Sequence, residues 1–256
     1  MLPYIVFLNR PYPLYGLLGV VALFVATGVV YPRAKREGLV YVDLLLGIVV
    51  LGVGLLIGGT ILHAMVRIPF LWEHRGDLSL FEFLRIAFGG LVFYGGIIGV
   101  LIAMPLYAKS LKKGLSDIVL LTVPLFPLAH GIMRIGCFMA GCCYGVEHDN
   151  LGIAFTRSLV APNNVRLLSV QLFETITNFF IFIALWKYTE NPRRPLVVLC
   201  FYGLSYAIIR FMLEFLRGDE ARGFIFGFST SQFISIFVVI FCISALICEK
   251  TFIQHQ

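Results

Sequence analysis

Seven long apolar runs separated by short polar loops dominate the hydrophobic pattern of this chain. Crossing the hydrocarbon core of a bilayer takes about 20 helical residues. Isolated strands leave backbone groups unsatisfied in lipid, so each run predicts a transmembrane helix. The predicted helices cover residues 12–31, 41–65, 84–108, 116–140, 170–186, 195–216 and 228–248.

Composition supports a membrane protein. The 256 residues are 59% hydrophobic and 13% charged, and the mean hydropathy is +0.93. Soluble domains are about 45–50% apolar and about 25% charged, so lipid must be the solvent for most of this chain. We therefore predict an all-α, polytopic integral membrane protein whose single transmembrane domain covers residues 1–256. The first run is interpreted as a retained helix, because no credible small-residue cleavage site follows it.

The net charge of +6 is spread over the loops and not over one soluble face, which argues against nucleic acid as a partner. The side of the membrane with more Lys and Arg is expected to be cytoplasmic. This rule places the N-terminus outside and the C-terminus in the cytoplasm. The predicted cytoplasmic side carries Arg33, Lys35, Arg36, Lys109, Lys112, Lys113, Lys187, Arg193, Arg194 and Lys250, and the outer side carries Arg10, Arg67, Arg75, Arg157, Arg166 and Arg222.

The longest loop lies on the predicted outer side. It covers residues 141–169, is polar, and includes Pro162, Asn163 and Asn164. We expect it to form a small extracytoplasmic cap within the same domain.

Several charged residues fall inside the predicted helices. A charge in such a position costs at least about 2.5–3.5 kcal/mol on insertion scales, and it usually faces an interior or a watery cavity. Arg134 lies in the fourth predicted helix, while Arg210, Glu214 and Arg217 share one face of the sixth. A simple ion pair between helices would account for Arg210 with Glu214. Glu174 is either the partner of Arg134 or a support for the site, and the sequence leaves this choice open.

Arginines that converge at one depth suit a phosphate. Guanidinium groups bind phosphate bidentately and stay ionised when partly buried. The phosphate most available at the outer membrane face belongs to a lipid head group. Arg134 and Arg210 therefore predict an anionic phospholipid site near the outer leaflet.

A cysteine-rich segment follows Arg134. Cys137, Cys142 and Cys143 fall at the outer mouth of the fourth predicted helix, and His130 lies one turn before Arg134. The thiols are small packing residues, a disulfide, or a nucleophile or metal ligands. A zinc site that includes His130 or His148 is conceivable, but Cys-x4-Cys-Cys is not a standard ligand spacing. We predict no metal site and no cofactor.

An ordered set of short motifs extends across nearly the whole chain. The motifs are Leu14-Tyr15-Gly16, Gly89-Gly90 with Phe93-Tyr94-Gly95-Gly96, Arg134-Ile135-Gly136-Cys137-Phe138 through Gly145, Gln171-Leu172-Phe173-Glu174, Tyr202-Gly203, Arg210-Phe211, Glu214-Phe215-x-Arg217, and Ser231-Gln232-Phe233-Ile234-Ser235. Each motif is weak alone, but in this order and at this spacing they resemble the prolipoprotein diacylglyceryl transferase family.

The resemblance implies a reaction in a bacterial cytoplasmic (inner) membrane, at a site near its outer face. The lipobox cysteine of a prolipoprotein signal peptide attacks the glyceryl carbon of phosphatidylglycerol, and glycerol phosphate leaves. By this resemblance Arg134 and Arg210 neutralise the phosphate, and Tyr15 lines the lipid cavity. Glu214 and Arg217 orient Arg210 and the outer gate. Further substrate-binding positions are implied at Gly145, Gln171 and Glu174.

Three departures from the family pattern affect the chemistry. Tyr94 replaces the histidine proposed as the base, and a free tyrosine has a pKa near 10. His130 is our candidate replacement. Cys137 replaces an asparagine, and Thr60 and His63 stand where an arginine-containing sequence is expected. The alternatives are a divergent member that acts on another phospholipid or acceptor with Cys137 as nucleophile, and a non-catalytic phospholipid-binding protein or transporter.

Overall fold

The computed structural model describes residues 4–7, 10–158, 160–191, 193–218, 224–225 and 227–254. Within these ranges the backbone is mostly helical, with three short antiparallel hairpins. The helices are α1 (Leu14–Arg36), α2 (Tyr41–Glu73), α3 (Leu80–Phe88), α4 (Phe93–Ser110), α5 (Leu115–Thr122), α6 (Leu125–Ala140), α7 (Val170–Tyr188), α8 (Pro195–Glu214) and α9 (Thr230–Gln254). The hairpins are β1 (Tyr4–Phe7) with β2 (Arg10–Pro13), β3 (Ile153–Ala154) with β4 (Arg166–Leu167), and β5 (Phe224–Ile225) with β6 (Phe228–Ser229).

Six stretches in the described part of the chain are long and apolar enough to cross a membrane. Between 17% and 44% of the residues in each stretch are buried inside the chain, which leaves a broad apolar surface for lipid. The fold is therefore an all-α polytopic membrane protein, as predicted. The stretches are α1, α2, Leu115–Ala140, α7, α8 and Thr230–Thr251, and Tyr94–Ser110 is a shorter apolar helix. Orientation stays a prediction, and Asp219, Glu220 and Arg222 lie outside the described residues.

The prediction of one helix over residues 84–108 is wrong. The chain forms α3 and α4 instead, with a break at Gly89 and Gly90. A Cβ on Gly90 would lie 2.4 Å from Nε2 of His63, so the ring packs directly on this glycine. α3 also begins before residue 84, because Ser79 and Glu82 form a capping box at its N-terminus.

The predicted helix over residues 116–140 is also interrupted. α5 ends at Thr122, and α6 begins at Leu125 after a turn that contains Pro124. Proline lacks the backbone N–H that a continuous helix would need. The other predicted helices are confirmed in existence, although α1 and α2 extend further toward their C-termini.

Two compact units form the chain, and each has its own packing. In the unit of residues 31–119, α2 and α4 approach closely through glycines, and a Cβ on Gly58 would lie 2.3 Å from the carbonyl oxygen of Gly95. Small residues let the backbones of membrane helices approach this closely. In the unit of residues 1–30 and 120–256, α6 packs on α7, α7 on α8, and α8 on α9. The polar side chains described next all lie in this second unit.

The loop over residues 141–169 is held to α8. Gly145 N–H donates to the carbonyl of Leu168 at 2.8 Å, and Gly145 forms a β-bridge with Arg217. A Cβ on Gly145 would meet the carbonyl oxygen of Leu216 at 2.6 Å, so only glycine fits without displacement. Gly145 thus fastens the loop to the end of α8. Its implied contact with substrate stays a prediction.

Candidate active site

Glu174 is the centre of a buried polar cluster on α6, α7 and α8. Its side chain is 1% exposed, and Oε1 accepts from Nη2 of Arg134 at 2.8 Å. The same oxygen accepts from the hydroxyl of Tyr206 at 3.3 Å. Glu174 is therefore the ion-pair partner of Arg134, which answers the question that the sequence left open.

His130 lies one helical turn before Arg134 on α6. Nε of Arg134 donates to Nε2 of His130 at 3.2 Å, and the His130 ring lies 5.1 Å from that of Tyr206. An Nε2 that accepts from a guanidinium belongs to the neutral tautomer protonated on Nδ1. His130 Nε2 also lies 3.8 Å from Glu174, but an ion pair there would require a proton on Nε2 and a second positive charge beside Arg134. The neutral form fits the geometry, and a neutral imidazole keeps its capacity to accept a proton.

Arg210 is the second buried cation. It is 5% exposed, and Nη2 contacts the carboxylate of Glu214 and donates to Oγ of Ser231 on α9 at 3.0 Å. Its Nη1 is buried and finds no hydrogen-bond partner within the described ranges. An unpaired buried donor on a cation is costly, and an anion that enters the site would satisfy it.

The two arginines act on a common set of groups. Tyr206 and Arg210 are one helical turn apart on α8, and Tyr206 bonds to the carboxylate that holds Arg134. Arg134, Arg210 and Arg217 all lie close enough to Glu174 to act on it electrostatically. The sequence-based expectation that these arginines gather in one place is consistent with this arrangement.

α7 adds a stripe of buried amides. Nε2 of Gln171 donates to the carbonyl of Cys142 at 2.7 Å, and Nδ2 of Asn178 donates to the carbonyl of Glu174 at 2.7 Å. The side-chain oxygens of Gln171 and Asn178 have no hydrogen-bond partner among the described residues. Gln171 therefore links α7 to the cysteine-rich turn.

The three cysteines after α6 form a compact cluster. The Sγ atoms of Cys137, Cys142 and Cys143 all lie within 4.8 Å of one another, and each cysteine is free. The side chains of Cys137 and Cys142, and then the positive charges of Arg217 and Arg134, lower the pKa of the Cys143 thiol. The Cys142 thiol donates to the carbonyl of Cys137 at 3.7 Å. Cys137, the candidate nucleophile, is 6% exposed.

The histidines considered as zinc ligands are not in this cluster, because the group contains only the three cysteines within the part of the chain that the structure describes.

Tyr15 lies in the first turn of α1 and is 41% exposed. α1 packs closely on α6 there, since a Cβ on Gly136 would lie 3.3 Å from Cα of Tyr15. Tyr94 is on α4 in the other unit, so its predicted catalytic role stays a prediction.

Tyr206 is the residue that sequence reasoning missed. Its hydroxyl completes the Glu174 contacts. A signal was present, because Tyr202, Tyr206, Arg210 and Glu214 recur every fourth residue and so share one face of an apolar helix. Only the two charged members of this series were recognised as a site.

An apolar groove of about 200 Å³ lies between α8 and α9. Its lining includes Ala207 and Phe211 from α8, and Ser235 and Val239 from α9. Ser235 is one helical turn from Ser231, the residue that bonds to Arg210. An apolar surface therefore begins next to a buried cation, as an amphipathic ligand requires.

Comparisons with known proteins show the family of the chain. The family model described as prolipoprotein diacylglyceryl transferase matches residues 4–248. The protein named phosphatidylglycerol–prolipoprotein diacylglyceryl transferase from Clostridium tetani (strain Massachusetts / E88) is 35% identical over 232 residues, which cover 89% of this chain and 90% of the relative. One from Clostridium perfringens (strain 13 / Type A), with the same name followed by the number 2, is 40% identical over 152 residues, or 59% of each chain. One from Acinetobacter baylyi is 29% identical over 227 residues, or 84% of this chain and 80% of the relative.

Proposed function

The chain belongs to the prolipoprotein diacylglyceryl transferase family, and on this premise we propose that it transfers the diacylglyceryl group of phosphatidylglycerol to a cysteine thiol of a prolipoprotein. The observation that carries the proposal is the buried Arg210, whose Nη1 lacks a partner among the described residues. Arg210 also lies one helical turn from Tyr206, which bonds to the ion pair of Arg134 and Glu174. A lipid phosphodiester is an anion of the right kind to fill that position.

The proposed reaction is a displacement at the glyceryl carbon that bears the phosphate. The acceptor sulfur forms a thioether bond to this carbon, and the carbon–oxygen bond to the phosphate breaks. Glycerol phosphate leaves with the electron pair. Arg210 and Arg134 stabilise the negative charge that develops on the leaving phosphate. The buried setting strengthens this interaction, because little water screens it.

His130 is the base that we assign to the acceptor proton. Its neutral ring is supported by the hydrogen bond from Arg134. An imidazole has an ordinary pKa near 6.5, far better matched to proton removal at neutral pH than a phenol. Tyr94 is the competing candidate because it occupies the family's histidine position in the sequence.

An apolar groove of the protein near Arg210 can accommodate the lipid tails. The groove between α8 and α9 runs from the level of Arg210 along Ala207 and Val239, and we assign one acyl chain of phosphatidylglycerol to it. The protein would be a multi-pass protein of the bacterial cytoplasmic membrane, with its N-terminus outside and this site toward the outer face. The charge distribution of the loops supports that orientation.

The test is a lipid-dependent transfer assay with the full chain in vesicles that contain phosphatidylglycerol. A lipobox peptide is the acceptor, and both the thioether product and released glycerol phosphate are measured. Arg134→Ala and Arg210→Ala should each lower kcat on the order of 10²- to 10³-fold, as when one group that stabilises developing charge is removed. Arg193→Ala is the matched control, because that arginine lies over the ring of Tyr188 and donates to the carbonyl of the same residue, beyond the C-terminal end of α7.

Three outcomes decide among the alternatives. Loss with His130→Ala and retention with Tyr94→Phe supports the assigned base, and the reverse pattern contradicts it. Phosphatidylglycerol that binds without release of glycerol phosphate by a correctly folded wild type would instead indicate a binding protein. Full activity in Cys137→Ser would exclude Cys137 as a covalent nucleophile.

A further inference from the structure

The three sulfurs of the cysteine-rich turn are gathered by the backbone. Gly141 adopts a left-handed conformation with φ 72° and ends α6. Its N–H donates to the carbonyl of Phe138, and the N–H of Cys142 donates to the carbonyl of Cys137 at 3.1 Å. These two bonds form a Schellman motif, in which the first and sixth residues come together. Cys-x4-Cys is therefore the spacing that this motif needs to bring two thiols side by side.

Cys143 joins the pair through a second left-handed residue. Its φ is 62°, a conformation that non-glycine residues adopt infrequently. A backbone held in this conformation is strained, and such positions concentrate at sites where a side chain must point in a required direction. The result is a triangle of sulfurs, none more than 4.8 Å from another.

The size of this triangle fits a metal ion better than a disulfide. A zinc–sulfur distance of about 2.3 Å in tetrahedral geometry places the sulfurs of one site about 3.8 Å apart. Small side-chain rotations would bring all three sulfurs to that separation. A disulfide would instead need two sulfurs about 2.05 Å apart and would leave the third cysteine unused.

Charge and access also fit a cation held by thiolates. Three thiolates and one Zn²⁺ carry a net charge of −1, and Arg134 and Arg217 lie close enough to Cys143 to act on it electrostatically. Cys142 and Cys143 are partly exposed, while Cys137 is buried, so an ion has a path to the site. Gln171 fixes the turn from the other side through its bond to the carbonyl of Cys142.

We infer that Cys137, Cys142 and Cys143 bind one Zn²⁺ ion as three thiolates, and that the open fourth position takes the thiol of the acceptor. Within the described ranges the group contains no fourth histidine, cysteine or carboxylate ligand. Three protein ligands with an open position characterise catalytic zinc sites, whereas structural sites have four. The assignment of the fourth ligand rests on the proposed function. It replaces the sequence-based prediction that no metal site is present.

The zinc would prepare the acceptor for the displacement. A thiol that binds Zn²⁺ loses its proton, here to water or to His130, because metal coordination deprotonates thiols. The zinc-bound sulfur uses an electron pair to bond to the glyceryl carbon, and glycerol phosphate leaves with the pair of the broken carbon–oxygen bond. The product is a thioether, which carries no charge and dissociates from the zinc.

Metal binding is tested first, on protein purified without oxidation. We expect about one zinc per chain by elemental analysis, and a sulfur-to-metal charge-transfer band when Co²⁺ replaces zinc. Cys142→Ser and Cys143→Ser should lower metal affinity on the order of tenfold or more, whereas Cys248→Ser, a change at an exposed cysteine on α9, should not. Wild type with reduced thiols that binds neither ion would overturn the site, as would two of the three cysteines found in a disulfide. These deciding measurements are made on wild type, so a cysteine variant that fails to fold does not affect the conclusion about metal binding.

The acceptor is tested next, with a readout that does not need turnover. A lipobox peptide added to the Co²⁺-loaded chain should increase the charge-transfer band, and the same peptide with serine in place of cysteine should leave it unchanged. No response to the cysteine peptide overturns the fourth-ligand assignment. Transfer that survives complete zinc removal overturns the activating role while the proposed function stands. A loaded site without any transfer contradicts the proposed function and leaves the metal site intact.

Discussion

Replacing Glu174 by glutamine removes the counter-ion of a buried cation. The glutamine has nearly the same volume, so packing is preserved while the charge is lost. Glu174 is 1% exposed and lies 2.8 Å from Nη2 of Arg134, whose side chain is 14% exposed. Removal of one partner of a buried ion pair costs about 3–5 kcal/mol, because the other charge stays buried without compensation. We expect Glu174→Gln to lower the free energy of unfolding by that amount.

The double variant Arg134→Gln with Glu174→Gln separates this penalty from the contribution of the pair. Each single variant leaves one buried charge, and the double variant leaves none. The double variant should therefore lose less stability than the sum of the single losses, by about 1–3 kcal/mol of coupling. The measurement is reversible unfolding in mixed detergent micelles, and Glu147→Gln in the exposed loop is the control for a lost carboxylate.

In this double-mutant cycle of Arg134 and Glu174, the rate of transfer should not change in parallel with the free energy of unfolding. The double variant recovers only the coupling energy relative to the sum of the single losses, and it lacks the guanidinium at position 134, so transfer should stay impaired on the order of 10²-fold or more. If stability and transfer recover together, the ion pair only holds helices together, and our assignment of Arg134 to the phosphate is wrong. If the two single losses simply add, the pair does not interact in the membrane.

Three other changes test separate parts of the structure. Arg210→Lys keeps the charge but loses the planar fork, so kcat/KM for transfer should fall on the order of 10- to 100-fold in the vesicle assay. Gly145→Ala should lower thermal stability by about 1–3 kcal/mol because its Cβ meets backbone, whereas Gly28→Ala, with open space around it, should not. Hydrogen bonds from Ser79 lower the pKa of Glu82, so the cap stabilises α3 above the ordinary carboxyl pKa, and this contribution is lost as pH falls through the lowered value. The protection factors of α3 amides, which correct for the pH dependence of intrinsic exchange, should then fall in wild type as pH drops through the lowered pKa. In Glu82→Ala, which cannot complete the capping box, they should be low both above and below that pKa.

The order and approximate positions of the apolar helices were predictable because lipid imposes a single rule on every apolar run. The breaks were not predictable from hydropathy alone. Hydropathy does not distinguish Gly89 and Gly90 from other small residues in an apolar run, and Gly90 packs against the ring of His63, which comes from α2. Pro124 was a visible signal, but proline is tolerated inside membrane helices when neighbours satisfy the backbone.

The candidate site was predictable where charge conflicts with its surroundings. Arg134 and Arg210 stood out because few charges survive in apolar helices, and the structure places both beside Tyr206 and Glu174. Tyr206 itself drew no attention, since an aromatic residue is common in a membrane helix. The prediction that the cysteines hold no metal stays a prediction, and spacing alone was a weak basis for it. Ligand spacing was compared with familiar zinc motifs, whereas the Schellman motif at Gly141 sets the distance between the sulfurs.

The charge balance of the site favours a substrate with one negative charge. With the three cysteines protonated and free of metal, Arg134, Arg210 and Arg217 face Glu174 and Glu214, which leaves one excess positive charge when His130 is neutral. A thiolate–zinc cluster with a net charge of −1 would offset this excess, so the lipid preference is measured on zinc-free protein. A phosphodiester carries one negative charge and matches this excess. Released glycerol phosphate is a monoester with a charge of about −1.5 to −2 at pH 7. This negative charge is larger than the single excess positive charge of the site, so the site favours its release. Arg217→Gln removes the excess charge while Arg134, Glu174, Arg210 and Glu214 all keep their own charges. That variant should bind phosphatidylglycerol no more tightly than zwitterionic phosphatidylethanolamine in a lipid competition assay, while wild type prefers phosphatidylglycerol. An undiminished preference in Arg217→Gln would mean that head-group contacts, and not net charge, select the lipid.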